Sequence, residues 1–423
     1  MKPRADRAIS ARRFAPRELV SYAVMAAAVW LAWEVVKAPV VDRAPPALAI
    51  RLAPTSPEVL RRAAEAELVA ERFENAKALA DDSLVRAPFN ARAMRVRGLT
   101  EARLGEERSA DEMLTLAGNW SLRDDPAHAW LVEYRLRRGD YGSAFAHADT
   151  LARRRPDLHS NLFNLYRTAA GHDPRAVGAL VAVLQRNPPW REAFLEEIND
   201  TDEGAAVAGT LALALETTDA PFTPYELQRL YSKWLEGRRF AGVKELRRRL
   251  NRPPSSTLLQ NGDFGTDMER QIYPFGWQLG HAPGVGGLPT EDDVTPENTA
   301  YRLEYDGFGS GVFLDQLLVL TPGNYVLSWD QRVEAGDTSS RLEWQILCSG
   351  SASGFAIGSP SGGTNQAGEW RKASTRFSVP ENNCDVQWLR LVTRPGDRRT
   401  TIAMWLDNVS LQVTQPQISR PGT

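Results

Sequence analysis

The most constraining feature of the sequence is a fixed spacing of small residues in its first half. Four positions 34 residues apart each hold a small residue: Ala76, Ala110, Ala144 and Gly178. Pro88 and Pro156, two such periods apart, each follow a segment of helical periodicity. This period is typical of a helix–turn–helix solenoid, because one pair of helices cannot bury its apolar face alone. The first half is therefore predicted to be an all-α repeat array.

Two of the repeat units carry enough of a pattern to suggest a family. One reads ERFENAKALADDSLVRAPFN, and another reads RRGDYGSAFAHADTLARRRPDL with Gly139 and Asp140 at its turn. They resemble tetratricopeptide repeats, and the resemblance covers residues 56–252. It implies antiparallel helix pairs whose concave groove holds a peptide or a partner protein.

The N-terminal segment has the pattern of a membrane anchor. Residues 1–18 carry six Lys and Arg and form a predicted cytoplasmic tail, followed by the apolar run 19–36. Eighteen helical residues reach about 27 Å, which suits a bilayer core, and the basic flank keeps the N-terminus in the cytoplasm. A cleaved signal peptide and a buried core helix are the alternatives. The proline-rich residues 37–55 are predicted to form a stiff extended spacer.

The second half has the pattern of an all-β module. A linker, Pro253–Ser256, is followed by short alternating runs, with Pro-Gly turns between several of them. The runs are Tyr301–Tyr305, Tyr325–Val333, Arg341–Cys348, Thr375–Val379, Asp385–Val392 and Thr401–Val413. Such runs favour a β-sandwich over residues 258–415, with a flexible tail at 416–423.

The ends of this module carry a second resemblance. It opens with NGDF at residues 261–264 and a later Gly-Trp, and closes with WLDNVSL at 405–411. These motifs, with PGNYVLS at 322–328, resemble jelly-roll carbohydrate-binding modules. The resemblance implies a glycan ligand and allows a structural calcium ion held by Asp263 and Asp407. Gly265 stands where the family often has an acidic calcium ligand.

Sugar binding uses aromatic faces together with polar groups that bond to hydroxyls. The alternating strands predict that most tryptophans, including Trp329 and Trp344, lie in the core. Five residues are candidates to line a carbohydrate groove: Arg332, Glu343, Gln345, Gln387 and Tyr305. Tyr273 and Phe308 are alternative aromatic platforms.

Charge and cysteine usage exclude several classes of function. Residues 258–415 hold 11 Lys and Arg against 19 Asp and Glu, a net charge of −8, so nucleic acid is not an expected partner. Cys348 and Cys384 are the only cysteines, and no Cys/His cluster suits zinc. In an oxidising compartment these two cysteines could form a disulfide, and two unpaired thiols are the alternative.

No sequence motif of a hydrolase, a metalloprotease or a nucleotide-binding enzyme is present. The acids at 291–293, Glu304 and Asp306 are the only candidates for glycosidase chemistry. The sequence therefore predicts a multidomain, non-catalytic bacterial inner-membrane protein with its bulk in the periplasm. It would bind a protein and a glycan in envelope or exopolysaccharide assembly. A scaffold that binds only protein and a glycan-cleaving enzyme are the alternatives.

Overall fold

The computed structural model describes residues 16–252, 257–265, 271–350, 354–360 and 368–414. The predicted tail before Pro16, the linker 253–256 and the C-terminal tail 416–423 lie outside these residues. The chain divides into two compact units, Met1–Leu151 and Ala152–Thr423. The all-α prediction for the first half and the all-β prediction for the second are both confirmed.

The described part of the first unit is built from eight helices. They are α1 (Pro16–Arg43), α2 (Pro46–Leu52), α3 (Pro57–Val69), α4 (Phe73–Arg86), α5 (Ala91–Arg103), α6 (Glu107–Trp120), α7 (Asp125–Arg137) and α8 (Tyr141–Ala152). Three-residue turns separate α3 from α4, α5 from α6 and α7 from α8. Ala76, Ala110 and Ala144 are fully buried on the second helix of each pair. Small side chains at these positions let paired helices approach closely.

The prediction that the 34-residue period continues to a fourth buried position at Gly178 is wrong. Gly178 is exposed, and Ala176 takes the buried position instead. The turn between helices α9 (His159–His172) and α10 (Pro174–Leu184) is one residue long instead of three, and α10 begins 33 residues after α8 instead of 34. The phase of the fourth unit therefore differs from that of the first three. Assignment of the array to tetratricopeptide repeats remains a prediction.

The apolar N-terminal segment is helical and longer than predicted. Helix α1 contains one stretch, Val20–Arg43, that is long and apolar enough to cross a membrane. The extended spacer predicted at 37–55 is wrong, since α1 continues through Pro39 and α2 begins at Pro46. Proline is compatible with the first helical position because the amide there needs no intrahelical acceptor. Burial of Val41, Ala44 and Ala49 with Val59 of α3 favours the helical form.

The second unit begins with six helices. Besides α9 and α10 they are α11 (Arg191–Glu197), α12 (Asp202–Leu215), α13 (Pro224–Glu236) and α14 (Phe240–Leu250). An aromatic cluster of Phe163, Tyr166, Trp190 and Phe194 joins α9 to α11. Thr223 and Glu226 form a reciprocal capping box that starts α13.

In the described part of the chain, ten antiparallel strands follow, in two five-stranded sheets. They are β1 (Gln278–Leu279), β2 (Val285–Glu291), β3 (Thr299–Tyr305), β4 (Val312–Leu318), β5 (Gly323–Ala335), β6 (Leu342–Cys348), β7 (Phe355–Gly358), β8 (Arg371–Val379), β9 (Gln387–Thr393) and β10 (Ile402–Val413). The front sheet has the order β1-β4-β9-β6-β7, and the back sheet has the order β2-β3-β10-β5-β8. Trp329 and Trp344 lie in the core between them, as predicted.

The opening and closing motifs of the module meet in the fold. The Val409 amide donates to the Gly262 carbonyl at 2.8 Å, and the Trp277 indole donates to the Asn261 carbonyl at 3.0 Å. A β-carbon on Gly262 would lie only 1.8 Å from the Val409 carbonyl oxygen, so glycine is required there. These motif residues are therefore explained by packing of the opening segment against β10.

Cys348, at the end of β6, and Cys384, just before β9, form a disulfide whose Cα atoms lie 4.7 Å apart. The bond joins two neighbouring strands of the front sheet. Cys384 is buried in the core, whereas Cys348 packs at its margin.

Helices α13 and α14 belong to the predicted repeat array, but they pack on the β-sandwich. They therefore fall in the second unit together with the sandwich. The ring of Tyr231 meets Phe275 edge-on at 4.9 Å, and the Arg247 guanidinium lies 4.9 Å from the centre of the same ring. Lys244 and Asp385 form an ion pair at 3.4 Å. Burial lowers the pKa of Arg247, which is inaccessible although its neighbours Arg248 and Arg249 are exposed.

We expect Ala144→Phe to destabilise the first unit by about 1–3 kcal/mol, because a phenyl ring overpacks a fully buried position. Thermal unfolding of the full chain measures the effect. Ala146→Phe is the matched control, since Ala146 is exposed on the same helix. Equal melting temperatures for the two variants would contradict the assigned packing.

Low pH should lower the stability of the first unit, because this unit contains a closely spaced histidine pair. The Nδ1 atoms of His128 and His147 lie 3.0 Å apart, and burial, His128 and Arg135 lower the pKa of His147 to about 4. The unfolded chain therefore binds more protons than the folded chain below about pH 6.5, and the free energy of unfolding falls as the pH drops from there to about 4. Chemical denaturation should show a flatter pH profile for His147→Gln. The exposed His172 provides the control His172→Gln, and an unchanged slope in both variants would contradict the assignment.

Candidate functional site

A row of polar side chains crosses the outer surface of the front sheet. The strand register places Gln278 beside Asp315, Asp315 beside Arg390, and Arg390 beside Gln345. Their neighbours along each strand, including Leu314, Leu389, Leu391, Trp344 and Ile346, point into the core. Because side chains alternate across a strand, the four polar residues share the outer face. We call them the polar row.

Aromatic groups flank the polar row. Trp388, two residues before Arg390, is half-buried on the same outer face, and the Arg390 guanidinium lies 5.7 Å from its ring centre. Tyr273 is also half-buried and close enough for Asp315, Arg390 and Glu236 to influence its ionisation. An indole and a phenol beside a set of hydrogen-bonding groups form the combination that pyranose rings require.

A second polar pair borders the row on β6. The Gln345 amide donates to Glu343 at 2.6 Å, and the Arg394 guanidinium lies 3.0 Å from the other Glu343 oxygen. Glu343 lies on the outer side of β6, opposite Val392 of β9, but is only 7% exposed. These bonds hold the Gln345 amide in a fixed orientation.

The electrostatics of the row are set by partial burial. Burial raises the pKa of Asp315, whereas the Arg390 guanidinium, 3.6 Å from its carboxylate, opposes that shift. Burial also raises the pKa of Tyr273, and the negative charges of Asp315 and Glu236 act in the same direction. The Tyr273 hydroxyl is therefore protonated at neutral pH and can donate a hydrogen bond.

Two of the five predicted carbohydrate residues fall on this face, namely Glu343 and Gln345. Gln387 is wrong as a ligand residue, because it is fully buried and accepts from the Leu320 amide while donating to the Cys384 carbonyl. Tyr305 is also wrong, since it is buried and its hydroxyl donates to the Gly309 carbonyl at 2.7 Å.

Arg332 is wrong as well, for a different reason. It belongs to β5 of the back sheet, where it is buried and paired with Asp292 at 2.8 Å and with Asp293. Its guanidinium packs between the rings of Trp405 and Trp370, at 4.9 and 5.6 Å from their centres. Arg332 therefore stabilises the back sheet. Among the alternative aromatics, Phe308 is exposed in a loop, and Tyr273 lies at the front face.

The sequence prediction missed Trp388, Arg390, Asp315 and Gln278. The alternation in β9 carried a usable signal, because Leu389 and Leu391 are apolar while Trp388 and Arg390 occupy the opposite phase. No such signal exists for their assembly into a row, since Asp315 and Arg390 lie on strands far apart in sequence.

Of the two predicted calcium residues, Asp407 lies on β10, the central strand of the back sheet, and Asp263 lies in the opening motif. Asp407 is buried and accepts from the Asn298 amide at 2.8 Å and from the Asn408 backbone at 2.7 Å. Burial raises its pKa, and the nearby Asp330 and Asp263 contribute to the same shift. Within the described residues no group of three or more His, Cys, Asp or Glu side chains is arranged to hold a metal. Calcium binding by Asp263 and Asp407 remains a prediction.

No protein-family model matches the chain, and no curated protein matches it. The C-terminal β region is similar to several solved carbohydrate-binding modules. A putative sugar-binding protein from Bacteroides thetaiotaomicron VPI-5482 shares 13% identity at a TM-score of 0.28, covering 38% of this chain and 100% of that one.

Two further structures are similar over the same region. TmCBM61, solved in complex with β-1,4-galactotriose, is 16% identical with a TM-score of 0.27, covering 38% of this chain and 100% of its own. The CBM22-1 xylan-binding domain of Paenibacillus barcinonensis Xyn10C is 14% identical with a TM-score of 0.26, covering 33% of this chain and 86% of that chain.

Proposed function

We propose that this protein is a non-catalytic, membrane-anchored scaffold that binds a glycan on the front sheet of its sandwich. The observation that carries the proposal is the polar row, which joins four hydrogen-bonding side chains to the half-exposed Trp388. A pyranose would stack on the indole and exchange hydrogen bonds with the amides, the carboxylate and the guanidinium of the row.

The arrangement of carboxylates favours binding over cleavage. Asp315 and Glu343 lie on β4 and β6, which are separated by β9, and they are offset by two residues. Two strand spacings and that offset place their Cα atoms about 12 Å apart. Each acid is also paired with an arginine.

Three of the acids proposed from sequence as catalytic candidates are engaged in other contacts. Glu304 pairs with Arg302 at 2.7 Å, and Asp306 accepts from the backbone of Phe308 and Gly309. Asp292 is buried against Arg332. These bonds support structural roles for the three residues and favour a protein without hydrolytic activity.

The anchor would be helix α1, with the bulk of the chain in the periplasm. The basic residues before it favour a cytoplasmic N-terminus. The Cys348–Cys384 disulfide supports an oxidising compartment. A reporter that is active only in the periplasm should be active when fused after Thr423, and activity only from a cytoplasmic reporter would overturn the proposed location.

The helical part would hold a protein or peptide, so that the glycan and a second partner meet on one membrane-bound molecule. We propose that the scaffold serves envelope or exopolysaccharide assembly. Nucleic acid is not among the proposed partners, because the sandwich region is acidic.

A glycan array probed with the detergent-solubilised full chain tests the proposal. Wild type and the control Gln412→Leu should bind the same glycans, because Gln412 is exposed on the back sheet. Gln345→Leu keeps the side-chain volume but removes its hydrogen bonds, and it should weaken every signal. Absence of any bound glycan would favour the protein-only scaffold, and release of reducing sugar from a bound glycan would favour the enzyme.

A further inference from the structure

Large apolar side chains are exposed together at one edge of the first unit. Val85, Phe89, Trp120 and Leu122 are 78%, 71%, 57% and 63% exposed. The rings of Phe89 and Trp120 lie 5.0 Å apart, which joins the α4–α5 connection to the end of α6. We call this set the exit edge. Exposed apolar groups that cluster in this way mark an interaction surface.

The helix pairing explains why these residues share one edge. The Ser83 hydroxyl near the end of α4 donates to the Pro57 carbonyl at the start of α3, at 2.8 Å. Arg95 in the first half of α5 lies 3.4 Å from Asp124, the residue before α7. The exit edge is therefore the edge at which α3, α5 and α7 begin.

The opposite edge is defined by a separate set of contacts. Lys77 in the first turns of α4 pairs with Glu106, the residue before α6, at 2.6 Å. Val69, at the end of α3, lies on that side and is 82% exposed. It is a single apolar side chain, which makes it a useful reference for the exit edge.

The exit edge lies next to the end of the candidate membrane helix. Arg62 in the first turns of α3 donates to the carbonyls of Val41 and Ala44, at 3.1 and 2.9 Å. Val59 of α3 packs in one cluster with Val41 and Ala44. The beginning of α3 is thus tied to the point at which α1 ends.

Basic residues accompany the apolar set. Arg86 follows Val85 at the end of α4, and Arg92 is exposed in the first turn of α5, next to the connection that carries Phe89. Arg123 is exposed in the connection that carries Leu122. Aromatic and apolar side chains interspersed with arginine are the composition of surfaces that lie in the interfacial layer of a membrane, where guanidinium groups meet lipid phosphates.

We propose that the exit edge docks on the surface of the bilayer that α1 crosses. This inference rests on the proposed membrane anchor. Phe89, Trp120 and Leu122 would insert into the headgroup layer, and Arg86, Arg92 and Arg123 would contact anionic lipid phosphates. The first unit would then be held against the membrane at a fixed height.

Depth-dependent fluorescence quenching tests the proposal on the full chain. Because both native cysteines are in the disulfide, an introduced cysteine can be labelled selectively with an environment-sensitive dye. Leu122→Cys is the test variant, and Val69→Cys is the control at the opposite edge. Each is reconstituted into phosphatidylethanolamine–phosphatidylglycerol vesicles that contain a headgroup-proximal spin-labelled lipid.

We expect spin-labelled lipid to quench the label at position 122 at least threefold more than the label at position 69. Equal quenching at both positions, or none at position 122 in protein that floats with the vesicles, would overturn the docking. A concentration-dependent dimer in detergent that is lost on labelling position 122 would assign the edge to a second copy of the chain and would also overturn the docking. Failure of the chain to float with vesicles after an alkaline wash would instead overturn the membrane anchor.

Discussion

Replacing Trp388 by alanine should reduce glycan affinity about 30-fold or more, because a central aromatic contact in a binding site is worth about 2 kcal/mol. Trp388 is the aromatic residue on the same strand as the polar row, and its outer face is half-exposed. Isothermal titration of the full chain with a glycan selected on the array measures the loss.

The matched control for this measurement is Tyr305→Phe. Tyr305 is an aromatic residue of the same module, but it is buried in the back sheet and its hydroxyl bonds to the Gly309 carbonyl. Removal of the Tyr305 hydroxyl should lower the stability of the sandwich slightly and leave the glycan affinity unchanged. Equal affinity for wild type and Trp388→Ala, with both proteins folded, would contradict a ligand site on the front sheet.

Loss of the disulfide should be the largest effect on stability. Cys348 and Cys384 are 36 residues apart in sequence, and opening a loop of that length costs about 3–4 kcal/mol in the chain-entropy model. The double variant Cys348→Ala/Cys384→Ala should therefore melt at a clearly lower temperature in scanning calorimetry.

A reducing agent provides the control for the disulfide. It should lower the melting temperature of the wild-type sandwich and leave that of the double variant unchanged. Mass spectrometry of alkylated protein from an exported sample should find no free thiol. Two alkylated cysteines in that sample would contradict both the bond and the proposed compartment.

Those parts of the fold that depend on local sequence pattern could be predicted from the sequence. Alternation placed Trp329 and Trp344 in the core, and the 34-residue period placed Ala76, Ala110 and Ala144 between paired helices. The same reasoning failed at Gly178, where the turn is shorter by two residues. It also failed at Pro46, because proline starts a helix as readily as it interrupts one.

The candidate site was harder to predict because it depends on long-range pairing. Asp315, Arg390 and Gln345 become neighbours only because β9 lies between β4 and β6 in the sheet. Polarity alone could not separate Gln345 from Gln387, since a glutamine suits both an exposed face and a buried position with backbone partners. Arg332 is a similar case, because its charge is compensated inside the back sheet.

Hydroxyl-radical footprinting with a bound glycan tests most directly whether the front sheet is the ligand site. Oxidation of Trp388 should fall when a glycan selected on the array is added to the full chain. Oxidation of Trp120, which is 57% exposed in the first unit, should stay unchanged. Unaltered oxidation of Trp388 at a saturating glycan concentration would contradict a ligand site on the front sheet.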